Sequence, residues 1–254
     1  MDSIDPALPW LKPGDDFPPT DQAWGRDTPA PGLLAAGGAL DVETLRRAYS
    51  VGIFPWFGRN EPILWWSTDP RMVLQTNRFL VHASLRKTLR RFQTDEQCEI
   101  RIDSAFSQVI QACSMSARTG QKGTWIVPEM LRSYQALHEA GFAHSVETWV
   151  HGELMGGLYA VAIGCAVFGE SMFTRASDAS KIALAALVSF SRAHGIEMID
   201  CQQNTRHLAS LGAVEMPRDA FQHQVAKSIL QPAPQWKFQP QYWNEMAPAR
   251  RQAT

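Results

Sequence analysis

The sequence has no run of about 18 apolar residues, so it offers no candidate transmembrane helix. It has no excess of either charge: 24 Lys and Arg face 25 Asp and Glu, a formal net charge of −1. A chain this neutral is not a bulk polycation, so any nucleic-acid site must be a local patch. Cysteine is sparse. Cys98, Cys113, Cys165 and Cys201 are scattered, with no C-x-x-C pair. That pattern speaks against a zinc site or a disulfide framework and favours a reducing, cytoplasmic setting. The start of the chain, Met1 to Pro6, is acidic and lacks an apolar stretch, so no secretory signal is expected. No G-x-G-x-x-G, Walker or G-x-S-x-G pattern occurs, which leaves phosphate loops and a Ser-His-Asp triad without support.

What is present is aromatic. Of the 254 residues nine are Trp, and Trp10, Trp24, Trp56, Trp65 and Trp66 all precede residue 70. Residues 1 to about 38 are rich in Pro, Gly and Asp and predict turns and extended pieces without regular structure. A short helix follows, with Asp41 as N-cap, Leu45, Ala48 and Tyr49 on one face, and Gly52 as its stop. A boundary is expected near residue 72, with a small domain (1–72) before a larger one (73–254).

The larger part alternates helix and strand signals. Helices are expected over 84–92, from an Asp103 cap to Ser116, over 128–137, over 180–193, and at 205–211 and 218–229. Strands are expected at 144–150 and 154–163, joined as a hairpin by His151-Gly152-Glu153, and at 166–169 and 198–200. Residues 120–123 read as a turn, and the last 20 or so residues as loose. The pattern predicts a mixed sheet with helices, α+β rather than doubly wound.

Four constellations could carry chemistry. In Gly169-Glu170-Ser171, a Glu at the end of a buried strand is either desolvated for a function or paired with Arg175, at even odds. Asp200 and Gln202 have period-2 spacing at a strand's carboxyl end. Both would face one crevice, while Cys201 would face the core. There one of the two could accept a proton or orient an amine while the other holds a carbonyl, or Asp200 could merely cap the next helix. Arg86, Lys87, Arg90 and Arg91 form one helical stripe. It is either a phosphate-binding face with salt-dependent affinity or a solvated surface. The rings of Trp56, Phe57, Trp65, Trp66 and Trp125 could stack on a base or an apolar ligand, or fill the core. Gly156-Gly157 would let a ligand approach the backbone.

Several segments, in order along the chain, resemble the leucyl/phenylalanyl-tRNA–protein transferase family. They are Gly52-Ile53-Phe54-Pro55-Trp56-Phe57, Pro62-Ile63-Leu64-Trp65-Trp66-Ser67, Gly123-Thr124-Trp125-Ile126, Ala143-His144-Ser145-Val146-Glu147, Gly169-Glu170-Ser171-Met172-Phe173 and Asp200-Cys201-Gln202. The resemblance runs from about residue 32 to 221. It implies a small N-terminal domain followed by an acetyltransferase-like (GNAT-type) α+β domain. It also implies transfer of Leu or Phe, and also Met, from aminoacyl-tRNA to proteins that begin with Arg or Lys, marking them for degradation. No metal or organic cofactor is implied, because the ester is already activated, and the chain is expected to act as a monomer.

Carried over by position, Trp56 and Trp125 would hold the terminal adenosine. Leu158, Val167, Leu184 and Leu187 would line the side-chain pocket. Glu170 would help bind donor and acceptor, and Asp200 with Gln202 would orient and activate the acceptor amine. Arg86, Lys87, Arg90 and Arg91 would contact the tRNA. The sequence departs from the family in reading Val167-Phe168-Gly169-Glu170-Ser171 where F-x-G-E-S is usual, which turns the ring to the other strand face. Leu158 and Leu187 stand where bulkier Met or Phe occur, implying a roomier pocket. The alternatives are an acyl-CoA transferase on the same fold, for which no Q/R-x-x-G-x-G/A loop is present, and a non-catalytic adaptor that binds tRNA or basic N-termini.

Overall fold

The computed structural model describes residues 7–116 and 126–246. The N-terminal part is a four-stranded sheet, ordered β1-β2-β4-β3. Its strands are β1 (Trp10–Leu11), β2 (Leu33–Gly37), β3 (Phe54–Pro55) and β4 (Leu64–Trp66). Strand β2 runs through a segment expected to be irregular. Its Leu-Leu-Ala-Ala-Gly run is apolar on both faces, and all five residues are buried, which a strand covered on both sides allows. Helix α1 (Val42–Ser50) forms where expected. The Thr44 N–H donates to Asp41 Oδ1 at 3.0 Å, which satisfies one of the free donors of the first turn. Leu45, Ala48 and Tyr49 are fully buried.

The second sheet has seven strands, ordered β11-β5-β10-β9-β8-β7-β6. Strands β5 (Arg71–Gln75), β6 (Cys98–Ile102) and β11 (Val214–Met216) are not apparent in the sequence pattern. Strands β7 (Ala143–Val150) and β8 (Glu153–Ile163) form the expected hairpin. His151 and Gly152 turn it, both at positive φ (52° and 76°), the geometry that suits a two-residue turn. Strand β9 (Ala166–Thr174) completes an antiparallel meander and is longer than expected. Helix α5 (Ala179–Ala193) then crosses over to β10 (Met198–Gln202), which lies parallel to β9. The remaining neighbours are antiparallel, so the sheet is mixed, as the α+β reading required.

Helices cover both faces of this sheet. One face carries α1, α3 (Phe106–Met115), α4 (Pro128–Glu139) and α7 (Arg218–Ser228). The other carries α2 (Ala83–Thr94) and α5. A short helix, α6 (Arg206–Ser210), follows β10. Among the described residues no helix is long and apolar enough to cross a membrane.

Three expectations fail for physical reasons. Asp103 does not cap α3. It sits at φ 59°, where its carboxylate accepts from His144 Nδ1 (2.7 Å) and from the Ser145 N–H (2.8 Å). The helix is served instead by Glu147, which takes the Ala105 N–H at 2.8 Å. Gly156 makes room for protein rather than ligand: a Cβ there would lie 2.6 Å from Ala179 Cβ, so the glycine seats the start of α5 on β8. The C-terminal segment is not loose as far as residue 246, and residues 247–254 lie outside the described residues. Trp236 stacks on His144 (centroids 4.1 Å apart) and leans on Phe190, while Trp243 meets Phe92 of α2 edge-on. Polar and Pro residues between the rings hide this aromatic face from any helical or strand period. The expected turn at 120–123, and Trp125, lie outside the described residues.

Candidate active site

Strands β9 and β10 pair at only two positions, Ile199 with Val167 and Asp200 with Phe168. Beyond that point a cavity of about 610 Å³ opens between them. Gly169 to Met172 of β9 form one wall, and Cys201, Gln202 and Gln203 the other. Leu158 of β8 and Leu184 and Leu187 of α5 make an apolar floor together with Ile199. The N-terminal sheet contributes Phe54, Pro55 and Trp56, and α6 contributes His207 and Leu208. The cavity thus sits at the carboxyl end of a parallel strand pair, where the ladder gives way and backbone groups become available.

The polar wall is built around Glu170. Tyr49 of α1 and Tyr134 of α4 are fully buried, and both phenols reach its carboxyl group. Tyr49 Oη lies 2.8 Å from Oε1 and Tyr134 Oη 3.1 Å from Oε2. The two hydroxyl oxygens are 2.5 Å apart. Gln202 Nε2 donates to Oε1 at 3.3 Å. Burial pushes the Glu170 carboxyl up to about 7 against the opposing phenol hydrogen bonds, and the Asp200 charge adds to the rise. The ion pair with Arg175 does not form. That guanidinium lies over the Phe173 ring and donates to the Leu154 carbonyl.

Asp200 does not face the cavity. It is 1% exposed and accepts from Arg71 in bidentate fashion, Nε to Oδ1 at 2.8 Å and Nη2 to Oδ2 at 2.7 Å. Arg71 is equally buried, between the rings of Phe54 and Phe221. Strand alternation holds through Ile199, Asp200 and Cys201, but the cavity lies on the side of Ile199 and Cys201. The expected assignment of faces is therefore reversed. Gln202 reaches the cavity only because a bulge interrupts the ladder with β5 and its φ is 54°. Its own N–H donates back to Asp200 Oδ1 at 2.9 Å, so the carboxylate holds the bulge. Cys201, expected to face the core, lines the cavity instead, with its thiol pushed far up by burial and by the Asp200 charge. A thiol so disfavoured as thiolate remains a poor nucleophile.

The other expected site residues divide. Leu158, Leu184, Leu187 and Trp56 line the cavity. Val167 does not; it is buried in the ladder opposite Ile199, one step before the strands part. Phe168 lies on the opposite face, with its ring 5.1 Å from that of Tyr49. Arg86, Lys87, Arg90 and Arg91 are all exposed on α2, while Leu85, Leu89 and Phe92 hold its inner face. Thr88, from the same helix, bonds Asp178 at the start of α5, which pairs with Lys181. At the cavity, burial and the Lys181 charge both lower the His207 pKa.

Sequence reasoning missed Tyr49, Tyr134 and Arg71 as site residues. A buried phenol needs a hydrogen-bond partner, and a lone Arg opening an apolar strand needs a carboxylate. Those were the available signals, but neither names the partner.

Comparison with known proteins agrees with this architecture. The family model for leucyl/phenylalanyl-tRNA protein transferase matches residues 73–226, and the model for that family's N-terminal domain matches residues 38–69. A leucyl/phenylalanyl-tRNA–protein transferase of Albidiferax ferrireducens is 62% identical, over 97% of each chain. One of Polaromonas sp. is 59% identical, over 99% of this chain and 98% of its own. One of Leptothrix cholodnii is 58% identical, over 93% and 94%. With the family model covering more than half its length and relatives matching nearly end to end, the chain belongs to the leucyl/phenylalanyl-tRNA–protein transferase family.

Proposed function

We propose that the protein transfers Leu or Phe, and also Met, from aminoacyl-tRNA to the α-amine of proteins that begin with Arg or Lys. The transfer is a direct ester aminolysis in the cytoplasm, carried out by a monomer, and it marks the acceptor for degradation. One observation supports this reading above others. A single cavity joins an apolar floor (Leu158, Leu184, Leu187) to a polar wall (Glu170, Gln202) under an indole rim (Trp56). The floor fits a Leu or Phe side chain, the rim fits an adenine ring, and the polar wall fits an ester carbonyl meeting an amine. Trp125 is assigned to the same adenosine by its place in the family motif. The four exposed cations on α2 suit the phosphates of the tRNA body. The division into residues 1–72 and 73–254 accords with this arrangement, since the first unit brings Trp56 to a cavity built by the second.

An unperturbed α-amine has a pKa of roughly 8, so a useful fraction is neutral near pH 7. The enzyme must position that amine and handle one proton; it needs no covalent intermediate. Gln202 contacts the reacting groups. Asp200 acts through Gln202 and Arg71, as a positioning residue held behind the wall. The test is transfer from Leu-tRNA or Phe-tRNA to a peptide beginning with Arg, against the same peptide beginning with Ala. Transfer to the Arg peptide alone is expected. Equal transfer to both, or none with tRNA still bound, would overturn the acceptor assignment or the reaction.

A further inference from the structure

Glu170, Tyr49 and Tyr134 make three oxygen–oxygen contacts, of 2.8, 3.1 and 2.5 Å. If Glu170 is ionised, only two protons serve these three contacts. If both phenols donate to the carboxylate, their own oxygens meet at 2.5 Å with no hydrogen between; if one phenol donates to the other, a phenol oxygen lies against a charged carboxylate oxygen at 2.8 or 3.1 Å with no hydrogen between. Either way one pair of lone-pair-bearing oxygens is left in repulsive contact without a proton. A third proton, on the carboxyl group, closes the ring. Glu170 Oε1–H then donates to Tyr49, Tyr49 to Tyr134, and Tyr134 to Oε2. Every oxygen donates or accepts, as a buried polar cluster requires.

The surroundings agree. From β10, Gln202 adds a neutral donor to Oε1. Arg71 of β5, whose charge pulls the other way, has Nε and Nη2 committed to Asp200 of β10. Among the described residues, Tyr159 of β8, Cys201 and His207 are the other titratable groups that line the cavity with it. Burial pushes both ring phenols well above their ordinary range, so they keep their protons.

We propose that Glu170 stands in the free protein as a neutral carboxylic acid, closing a hydrogen-bonded ring with the hydroxyls of Tyr49 and Tyr134, and that it is the proton donor to the ribose oxygen leaving the ester. This rests on the function proposed above. The acceptor nitrogen bonds to the ester carbon, and the carbon–oxygen bond to the ribose breaks. The departing oxygen takes the Glu170 proton, and the proton lost by the nitrogen refills Glu170. Atoms and charge balance with no further reactant. Tyr49 and Tyr134 are positioning residues for that acid.

The ring is tested without substrate, by infrared difference spectroscopy of the whole protein and its Glu170→Gln variant. A protonated-carboxyl band present near pH 6 and lost in Glu170→Gln is expected. The band should shift in frequency in Tyr49→Phe, a change that simple packing of the phenol would not produce. No such band at that pH would overturn the ring. The donor role is tested by the ratio of wild-type to Glu170→Gln transfer rates, in which titration of the acceptor amine cancels. General acid catalysis is worth roughly a hundredfold or more, so the ratio should be large near pH 6 and fall towards one as pH rises past about 7. A ratio that rises with pH would overturn the donor role. Absence of transfer at every pH would withdraw the donor role together with the proposed function, while the band alone would still report the ring.

Discussion

Two carboxyl groups stand on neighbouring strands of one sheet, and they are treated in opposite ways. Asp200 on β10 is sealed away with a bidentate guanidinium. Glu170 on β9 is enclosed by phenols and an amide, with no cation in contact among the described residues. A permanent counter-ion lets one carboxylate be buried as a charge. Neutral donors alone leave the other free to keep a proton. The first arrangement builds a rigid support, and the second leaves a titratable group on the cavity wall. The difference lies in which partner each strand face meets, not in the residue type.

Removing the counter-ion should break this comparison most severely. Arg71→Met strands a buried charge on Asp200, and about 3–5 kcal/mol of stability should be lost in denaturant unfolding. Adding Asp200→Leu to that variant should recover much of the loss; no recovery would mean that Arg71 acts by packing alone.

The next effect concerns Glu170. Its ordinary carboxyl value, 4.5, rises to about 7 in the folded protein. The native state therefore binds more protons than the unfolded state between those values, and the group's contribution to stability falls as pH rises across that window. Glu170→Gln removes this dependence. Relative to the parent, the variant should gain stability from about pH 4.5 to about pH 7, by at most about 3 kcal/mol. A flat difference in unfolding free energy across that range would contradict an acid held in the native state.

The smallest change sharpens the comparison from a distance. Asp41 caps the helix that carries Tyr49. Asp41→Ala should cost about 1 kcal/mol of stability. It should also move the Glu170 titration, read from the same pH-dependent unfolding, because the ring depends on where α1 places one hydroxyl.

Much of the fold was legible because its signals are local. The Asp41 cap, the His151-Gly152 turn and the apolar period of α5 each lie within a few residues. Strands β5, β6 and β11 were not legible, because each has five residues or fewer, too few for a strand period to stand out. Leu158, Leu184 and Leu187, which the resemblance gave to the side-chain pocket, line the cavity floor. The wall was less legible. Period-2 spacing put Asp200 and Gln202 together, but a bulge and one positive φ separate them. The phenols on Glu170 come from helices 121 and 36 residues away in sequence. No spacing rule reaches that far, and Tyr49 reads as ordinary core from its own helix.

Under the function proposed above, the opening between β9 and β10 holds the aminoacyl end of the tRNA. The most direct measurement is a structure with a non-hydrolysable phenylalanyl-adenosine amide bound. The phenyl ring is expected against Leu158, Leu184 and Leu187, the adenine on Trp56, and the amide carbonyl beside Glu170 and Gln202. An analogue bound with its ring outside that floor, or away from this cavity, would contradict it.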